Sequence, residues 1–166
     1  MMNIEIKILT ENELNDFRAI RLSALLKAPK MFGSSYTVEA KKTFSFFQDC
    51  LLSSTIIFGA YHENKIIGLA ALTPEVGRKV AHKAYLSSVF VEPAFQKQGV
   101  ANKLLHAVIE YAQQHVEQIL LTVVDDNHCA IHLYKKLGFQ TYGIEPKALK
   151  EEMQYSDELL MKLVLH

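Results

Sequence analysis

The 166-residue chain balances 18 Lys and Arg against 18 Asp and Glu, and 49% of it is hydrophobic against 22% charged. A neutral chain of ordinary globular composition carries neither the basic footprint of a dedicated nucleic-acid binder nor the basic amphipathic stretch of a membrane-surface protein. Its length suits one domain, 1–166; Cys50 and Cys129 cannot build a disulfide framework, and no apolar run nears the ~20 residues of a membrane span, so a cytoplasmic setting is expected.

The alternation of Ile4, Ile6 and Ile8 predicts a half-buried first strand. Thr10 followed by Glu13 has the spacing of a capping box and opens a helix whose apolar positions run from Leu14 and Phe17 to Leu26, ending at Ala28-Pro29. Gly33-Ser34-Ser35 breaks the chain before a second helical stretch around Phe44, Phe47, Cys50 and Leu51. Thr55 to Tyr61 and Lys65 to Thr73 are rich in β-branched and aromatic residues and flank Glu63-Asn64, which predicts a hairpin.

A turn near Pro74 to Gly77 leads to a long strand from about Val80 to Val91. Helical periodicity returns from Gln98 to about Gln114, where Val100, Leu104, Val108 and Ala112 share a face with Leu105 and Ile109. Ile119 to Val124 is a continuous apolar run, short enough for a buried strand. Ala130 to Leu137 reads as a short helix closed by Gly138, and Phe139 to Ile144 with Leu159 to Leu165 as two last strands. The order predicts one mixed α/β domain: an antiparallel meander, then a strand–helix–strand unit whose crossover is parallel.

The chemistry begins where the long strand stops. Pro93 ends the pairing, and Gly99 and Ala101 then open an amphipathic helix. A helix start presents backbone amides with no partner inside the helix, at the positive end of its dipole, and so suits a phosphate or pyrophosphate. Gly99 lets the backbone approach an anion closely, while Lys97 and Lys103 add charge at the rim. An ordinary turn before an ordinary helix uses the same glycine. The segment lacks the Gly-Lys-Ser/Thr of a Walker loop and the three glycines of a dinucleotide fingerprint. A second cluster, Asp125-Asp126-Asn127-His128-Cys129-Ala130, follows the buried strand, with Asn127 a good helix N-cap.

Leu86 to Ala101 resembles the central strand and pyrophosphate loop of the GNAT acetyltransferase superfamily: Gln96, Gly99 and Ala101 fill the loop pattern, and Lys97 stands where many relatives have glycine. Asn127, Ala130, Tyr134, Gly138 and Phe139 are similar to that family's second signature. The resemblance implies the GNAT fold, a central mixed, mostly antiparallel twisted sheet of about six to seven strands flanked by about four helices. It implies direct transfer of an acetyl group from acetyl-CoA to a primary amine, on a small molecule or a peptide or protein N-terminus, with no metal. By the same resemblance Val89, Phe90 and Val91 hold the pantetheine arm through their backbone, Gln96, Lys97, Gln98, Gly99, Val100 and Ala101 bind the pyrophosphate, Asn127 contacts the pantetheine amides, and Tyr134 is the general acid. The base is left among Glu92, Tyr85, His82 and a water held by Ser87 or Ser88. Members often dimerise, frequently through the terminal strands, so the resemblance leaves a homodimer open. Phe32-Gly33-Ser34-Ser35 resembles a segment of a broad bacterial branch.

Two further readings use the same motifs. A non-catalytic acetyl-CoA sensor needs the turn but not Tyr134, and a nucleotide-phosphate enzyme needs an acidic Mg²⁺ site at a recognisable position. His128 and His132 have the i, i+4 spacing of zinc ligands but no third partner in sequence, and surface histidines share that spacing. Cys129 beside His128 would support a covalent route only if neighbours in sequence faced one another on a helix.

Overall fold

A computed structural model describes residues 2–165. The strands are β1 (Glu5–Ile8), β2 (Ile56–His62), β3 (Lys65–Pro74), β4 (Lys83–Val91), β5 (Gln118–Val124), β6 (Gln140–Glu151) and β7 (Gln154–Val164). The helices are α1 (Leu14–Lys27), α2 (Tyr36–Glu39), α3 (Phe44–Leu52), α4 (Val100–Gln113) and α5 (His128–Lys136). The strands form a seven-stranded mixed sheet in the order β1-β2-β3-β4-β5-β7-β6. The sheet and helices have the predicted α/β architecture, with α2 as a short helix the sequence pattern did not reveal.

The chain divides into two units, one running up to Thr73 and including Ser87–Tyr111, the other comprising Pro74–Leu86 and the residues from Ala112. In the first, β1 pairs antiparallel with β2, and β2 with β3. The β2–β3 turn is made by Glu63 and Asn64, both left-handed at φ +49° and +66°, as a tight hairpin requires. The capping box forms as expected: Asn12 N–H donates to Thr10 Oγ1, and Thr10 N–H to Glu13 Oε1 at 2.8 Å. Strand alternation divides β2 and β3 between two layers. Ile57, Tyr61, Leu69 and Ala71 join Phe17, Ile20, Leu25 and Phe47 in one core. On the α4 side Phe58 packs edge-on to Tyr111.

In the second unit β4 and β5 are parallel from Lys83↔Gln118 to Tyr85↔Leu120, the expected sense of the crossover. Strand β7 lies antiparallel between β5 and β6. Two boundaries differ from the sequence expectation. Strand β4 starts at Lys83 rather than Val80, because Val80 and Lys83 donate to Gly77 and Val80 carbonyls and prolong the turn. The last two strands are far longer than their apolar cores. Pairing passes Pro146 through an irregularity between Glu145 and Leu149, where Lys147 N–H donates to Asp157 Oδ1 at 2.8 Å. A polar, proline-containing strand is invisible to hydrophobic alternation and is made by its cross-strand ladder.

Candidate functional site

Strand β4 carries an irregularity at its centre. Ser88 has φ +58°, a left-handed backbone inside a strand, which turns the peptide groups that follow it. Its hydroxyl accepts from Arg21 Nη1 at 2.9 Å. The remaining Arg21 fork closes on Glu39, Nε to Oε1 at 3.0 Å and Nη2 to Oε2 at 2.9 Å. Glu39 is 5% exposed and is the buried charged residue among those described. Burial pushes its carboxyl up, but hydrogen bonds from Arg21 and Ser34 and the charges of Arg21 and Lys42 outweigh that, holding it below the usual carboxylate range.

This linkage gives Phe32-Gly33-Ser34-Ser35 a physical reason. Phe32 lies under the Arg21 guanidinium at 5.2 Å, Ser34 donates to Glu39, and Ser35 caps α2 by accepting from Val38 N–H. The segment is a cage around one ion pair. Beside it opens a cavity of about 410 Å³, walled by Phe17, Phe46 and Phe47 and floored by Ile57, Leu69 and Ala71, with Ser87 and Ser88 at its β4 end. From sequence, Phe32, Tyr36, Phe44, Phe46 and Phe47 are candidates for an acceptor pocket or for core; Phe46 and Phe47 line this cavity, Phe47 fully buried in the core, while no local pattern places Arg21 or Glu39 there.

At the C-terminal end of β4 the Glu92 carboxylate accepts from Ser23 Oγ at 2.8 and 3.0 Å and from Lys27 Nζ at 3.0 Å, tying the strand end to α1. Gln96, expected at the phosphate, donates from Nε2 to the Val91 carbonyl at 2.9 Å and shapes the turn from within. Phe90 belongs to the core, so only its backbone is available to a ligand. Gln96, Lys97, Gln98 and Gly99 are exposed, whereas Val100 is buried. Lys97 at φ +61° and Gly99 at φ +81° are both left-handed. Glycine takes that conformation freely, and a side chain at Lys97 costs about 1–2 kcal/mol, so the lysine is carried against strain.

A Cβ built on Gly99 would have no atom within 4 Å, so the space before the turn is open. Lys103 N–H donates to Gly99 O at 3.1 Å, and the amides of Val100, Ala101 and Asn102 precede it with no acceptor in the helix. Open space, unpaired amides and the dipole of a 14-residue helix suit a pyrophosphate.

The second signature lies in the other unit. Asn127 caps α5, its Oδ1 accepting from Ala130 N–H at 3.3 Å. Tyr134 is 7% exposed and packs edge-on to Phe139 at 5.7 Å. Burial pushes its phenol up to about 12, so it keeps its proton at physiological pH and has a hydrogen to donate. Gly138, at φ +104°, ends α5 and lets Phe139 turn back to bond the Tyr134 carbonyl at 2.9 Å. Glu158, which the sequence did not single out, faces Val124 and Glu145 across β7. Its carboxyl is raised by burial and by Glu145, against a hydrogen bond from Thr122. Its signal is the ladder register, which no local pattern displays.

A central strand with left-handed backbone at Ser88, running into an open turn and a helix start with unpaired amides, has the geometry that suits a phosphate-bearing ligand. The model of the acetyltransferase (GNAT) family matches residues 20–139, and the chain belongs to that family. It is similar to the spermine/spermidine N(1)-acetyltransferase of Bacillus subtilis, 27% identical over 147 residues, 86% of this chain and 91% of that protein. It is also similar to the N-alpha-acetyltransferase RimI of Mycobacterium tuberculosis, 30% identical over 86 residues, though these are 52% of this chain and 52% of RimI, so the chain spans about half of that relative. A Salmonella typhimurium structure solved with its cofactor acetyl-CoA superposes at TM-score 0.83 and 19% identity, covering 98% of this chain and 94% of that one, a likeness of fold.

Proposed function

We propose that the chain transfers an acetyl group from acetyl-CoA to a primary amine, with both substrates bound together. The observation that carries this reading is the strained, exposed turn from Gln96 to Gly99 delivering unpaired amides at the start of α4. Acetyl-CoA supplies an activated thioester. The amides from Gln98 to Ala101 hold its pyrophosphate, and Lys97 and Lys103 add charge around it. The backbone of Val89, Phe90 and Val91 orients the pantetheine arm, and the displaced peptide groups after Ser88 place a donor where charge develops on the carbonyl oxygen.

Asn127 assists the pantetheine amides through its Nδ2, its Oδ1 being spent on Ala130. Tyr134 gives its proton to the departing sulfur; a thiol of pKa ~8.5 leaves with modest help, so the contribution is moderate. The surplus proton of the amine passes to water held by Ser87 or Ser88. Glu92, the base candidate of the sequence, anchors α1, because its oxygens already accept from Ser23 and Lys27. Residues 1–166 act as one catalytic domain in the cytoplasm, on a small-molecule amine or a peptide N-terminus.

Calorimetry with acetyl-CoA and thiol release with a panel of amines test the proposal. Micromolar binding that Gly99→Ala weakens, together with amine-dependent thiol release, supports it. Binding without release from any amine supports the sensor instead, and preference for ATP over acetyl-CoA removes both.

A further inference from the structure

Helix α1 grips strand β4 at Ser88 and again at Glu92, and Val89, Phe90 and Val91 lie between the two holds. At Glu92 the carboxylate accepts from Ser23 Oγ and Lys27 Nζ. That end is pinned further by the Glu92 N–H on the Ile67 carbonyl at 2.8 Å and by Gln96 Nε2 on the Val91 carbonyl at 2.9 Å. The Ser88 end carries the strain. Its φ of +58° is a backbone that an L side chain resists, and such a conformation persists only where the surrounding contacts over-determine it. The contact that meets the Ser88 hydroxyl is Arg21 Nη1, and hydrogen bonds from a charged donor are roughly twice as strong as neutral ones. Arg21 is itself preset. Glu39 takes Nε and Nη2 at 3.0 and 2.9 Å and Phe32 lies against the guanidinium at 5.2 Å, so the planar fork leaves Nη1 aimed at β4.

Resting on the acetyltransferase reading above, we infer that Arg21 is a positioning residue for acetyl transfer: through the Ser88 hydroxyl it holds the left-handed backbone that aims the following peptide groups at the thioester carbonyl. Glu39 and Phe32 act only through the guanidinium they orient. In the step served, the amine lone pair forms the C–N bond while negative charge gathers on the carbonyl oxygen. The C–S bond then breaks, sulfur keeps the bonding pair and takes a proton from Tyr134, and the nitrogen's surplus proton goes to water. A donor that swings away as the strand straightens meets that charge less well, while the pyrophosphate turn keeps its hold. Released from Arg21, a serine relaxes toward ordinary extended backbone, whereas a glycine in its place takes the left-handed conformation freely. Glycine should therefore serve better than alanine at position 88, the reverse of the usual order inside a strand.

The test is isotope-edited infrared spectroscopy of acetyl-CoA, labelled with ¹³C at the acetyl carbonyl and bound to the full chain. Ser88→Gly and Ser88→Ala, which both lack the hydroxyl, are compared alone and combined with Arg21→Lys, which keeps a cation opposite Glu39. We expect the native chain to lower the carbonyl stretch on binding, and Ser88→Ala to lose about half of that shift or more as the donor leaves alignment. Ser88→Gly should keep more of the shift than Ser88→Ala. Arg21→Lys should weaken the shift in the native background and add nothing on Ser88→Gly, because its effect runs through a hydroxyl no longer there. The dissociation constant for coenzyme A, which has no thioester carbonyl, should stay within about twofold in calorimetry for every variant, since the turn is untouched. A native chain that binds acetyl-CoA without shifting the carbonyl overturns the inference. So does a shift kept as well by Ser88→Ala as by Ser88→Gly, an Arg21→Lys loss equal in both backgrounds, or a loss matched by weaker coenzyme A binding. Failure of the native chain to bind acetyl-CoA overturns instead the reading on which the inference rests.

Discussion

Arg21→Ala isolates the linkage on which the first unit's site is built. The substitution removes a bidentate pair with contacts of 2.9 and 3.0 Å and strands Glu39, whose side chain is 6% exposed against 19% for Arg21. Breaking a buried pair from one side costs about 3–5 kcal/mol, because the remaining charge is left without compensation. The partial exposure of Arg21 favours the lower end, about 3 kcal/mol, which for a chain of this size lowers Tm by about 6–12 °C.

The pH dependence carries the sharper sign. In the native protein the Glu39 carboxyl lies below its ordinary 4.5, so its contribution is complete above the unfolded value and is lost only as pH falls through the folded one. Without Arg21 the burial that pushes it up prevails, and the group then destabilises at neutral pH and recovers as it takes a proton. The Tm deficit of Arg21→Ala should therefore narrow from pH 7 to pH 5, read by melting followed by circular dichroism. A deficit under about 1 kcal/mol, or one equal at both pH values, refutes the reasoning.

Gly99→Ala meets no atom within 4 Å but adopts a left-handed φ of +81°, so about 1–2 kcal/mol of strain should lower Tm by a few degrees while the dissociation constant for acetyl-CoA, by calorimetry, rises about tenfold. An unchanged constant would remove the turn from the binding site. Tyr134→Phe should lower kcat about tenfold with KM held, and because the phenol is pushed up to about 12 the native enzyme should show no alkaline fall from this group up to pH ~10. Unchanged turnover at saturating acetyl-CoA would free Tyr134 of the acid role. Glu92→Gln keeps the Ser23 contact and loses the Lys27 ion pair, so Tm should fall slightly and kcat stay within about threefold; a drop of a hundredfold would make Glu92 the base after all. Cys129→Ala should leave turnover intact in the same thiol-release assay, and its loss would revive a covalent route.

Features with a local cause are legible in the residues alone. A strand stopped by Pro93, a turn needing left-handed backbone near Gly99 and a helix closed by Gly138 are written in consecutive residues, and both signatures sit at such junctions. Lys97 shows the limit of that reading: its departure from glycine was visible, its strain was not. Which side chains complete the site depends on the folded chain. Arg21 reaches Glu39 across 18 positions and Ser88 across 67, and no periodicity encodes a partner at that separation. The lengths of β6 and β7 are of the same kind, fixed by a ladder between polar strands. Local backbone chemistry repeats wherever its residues occur, whereas a long-range ion pair exists only after the core has paid the entropy of bringing its halves together.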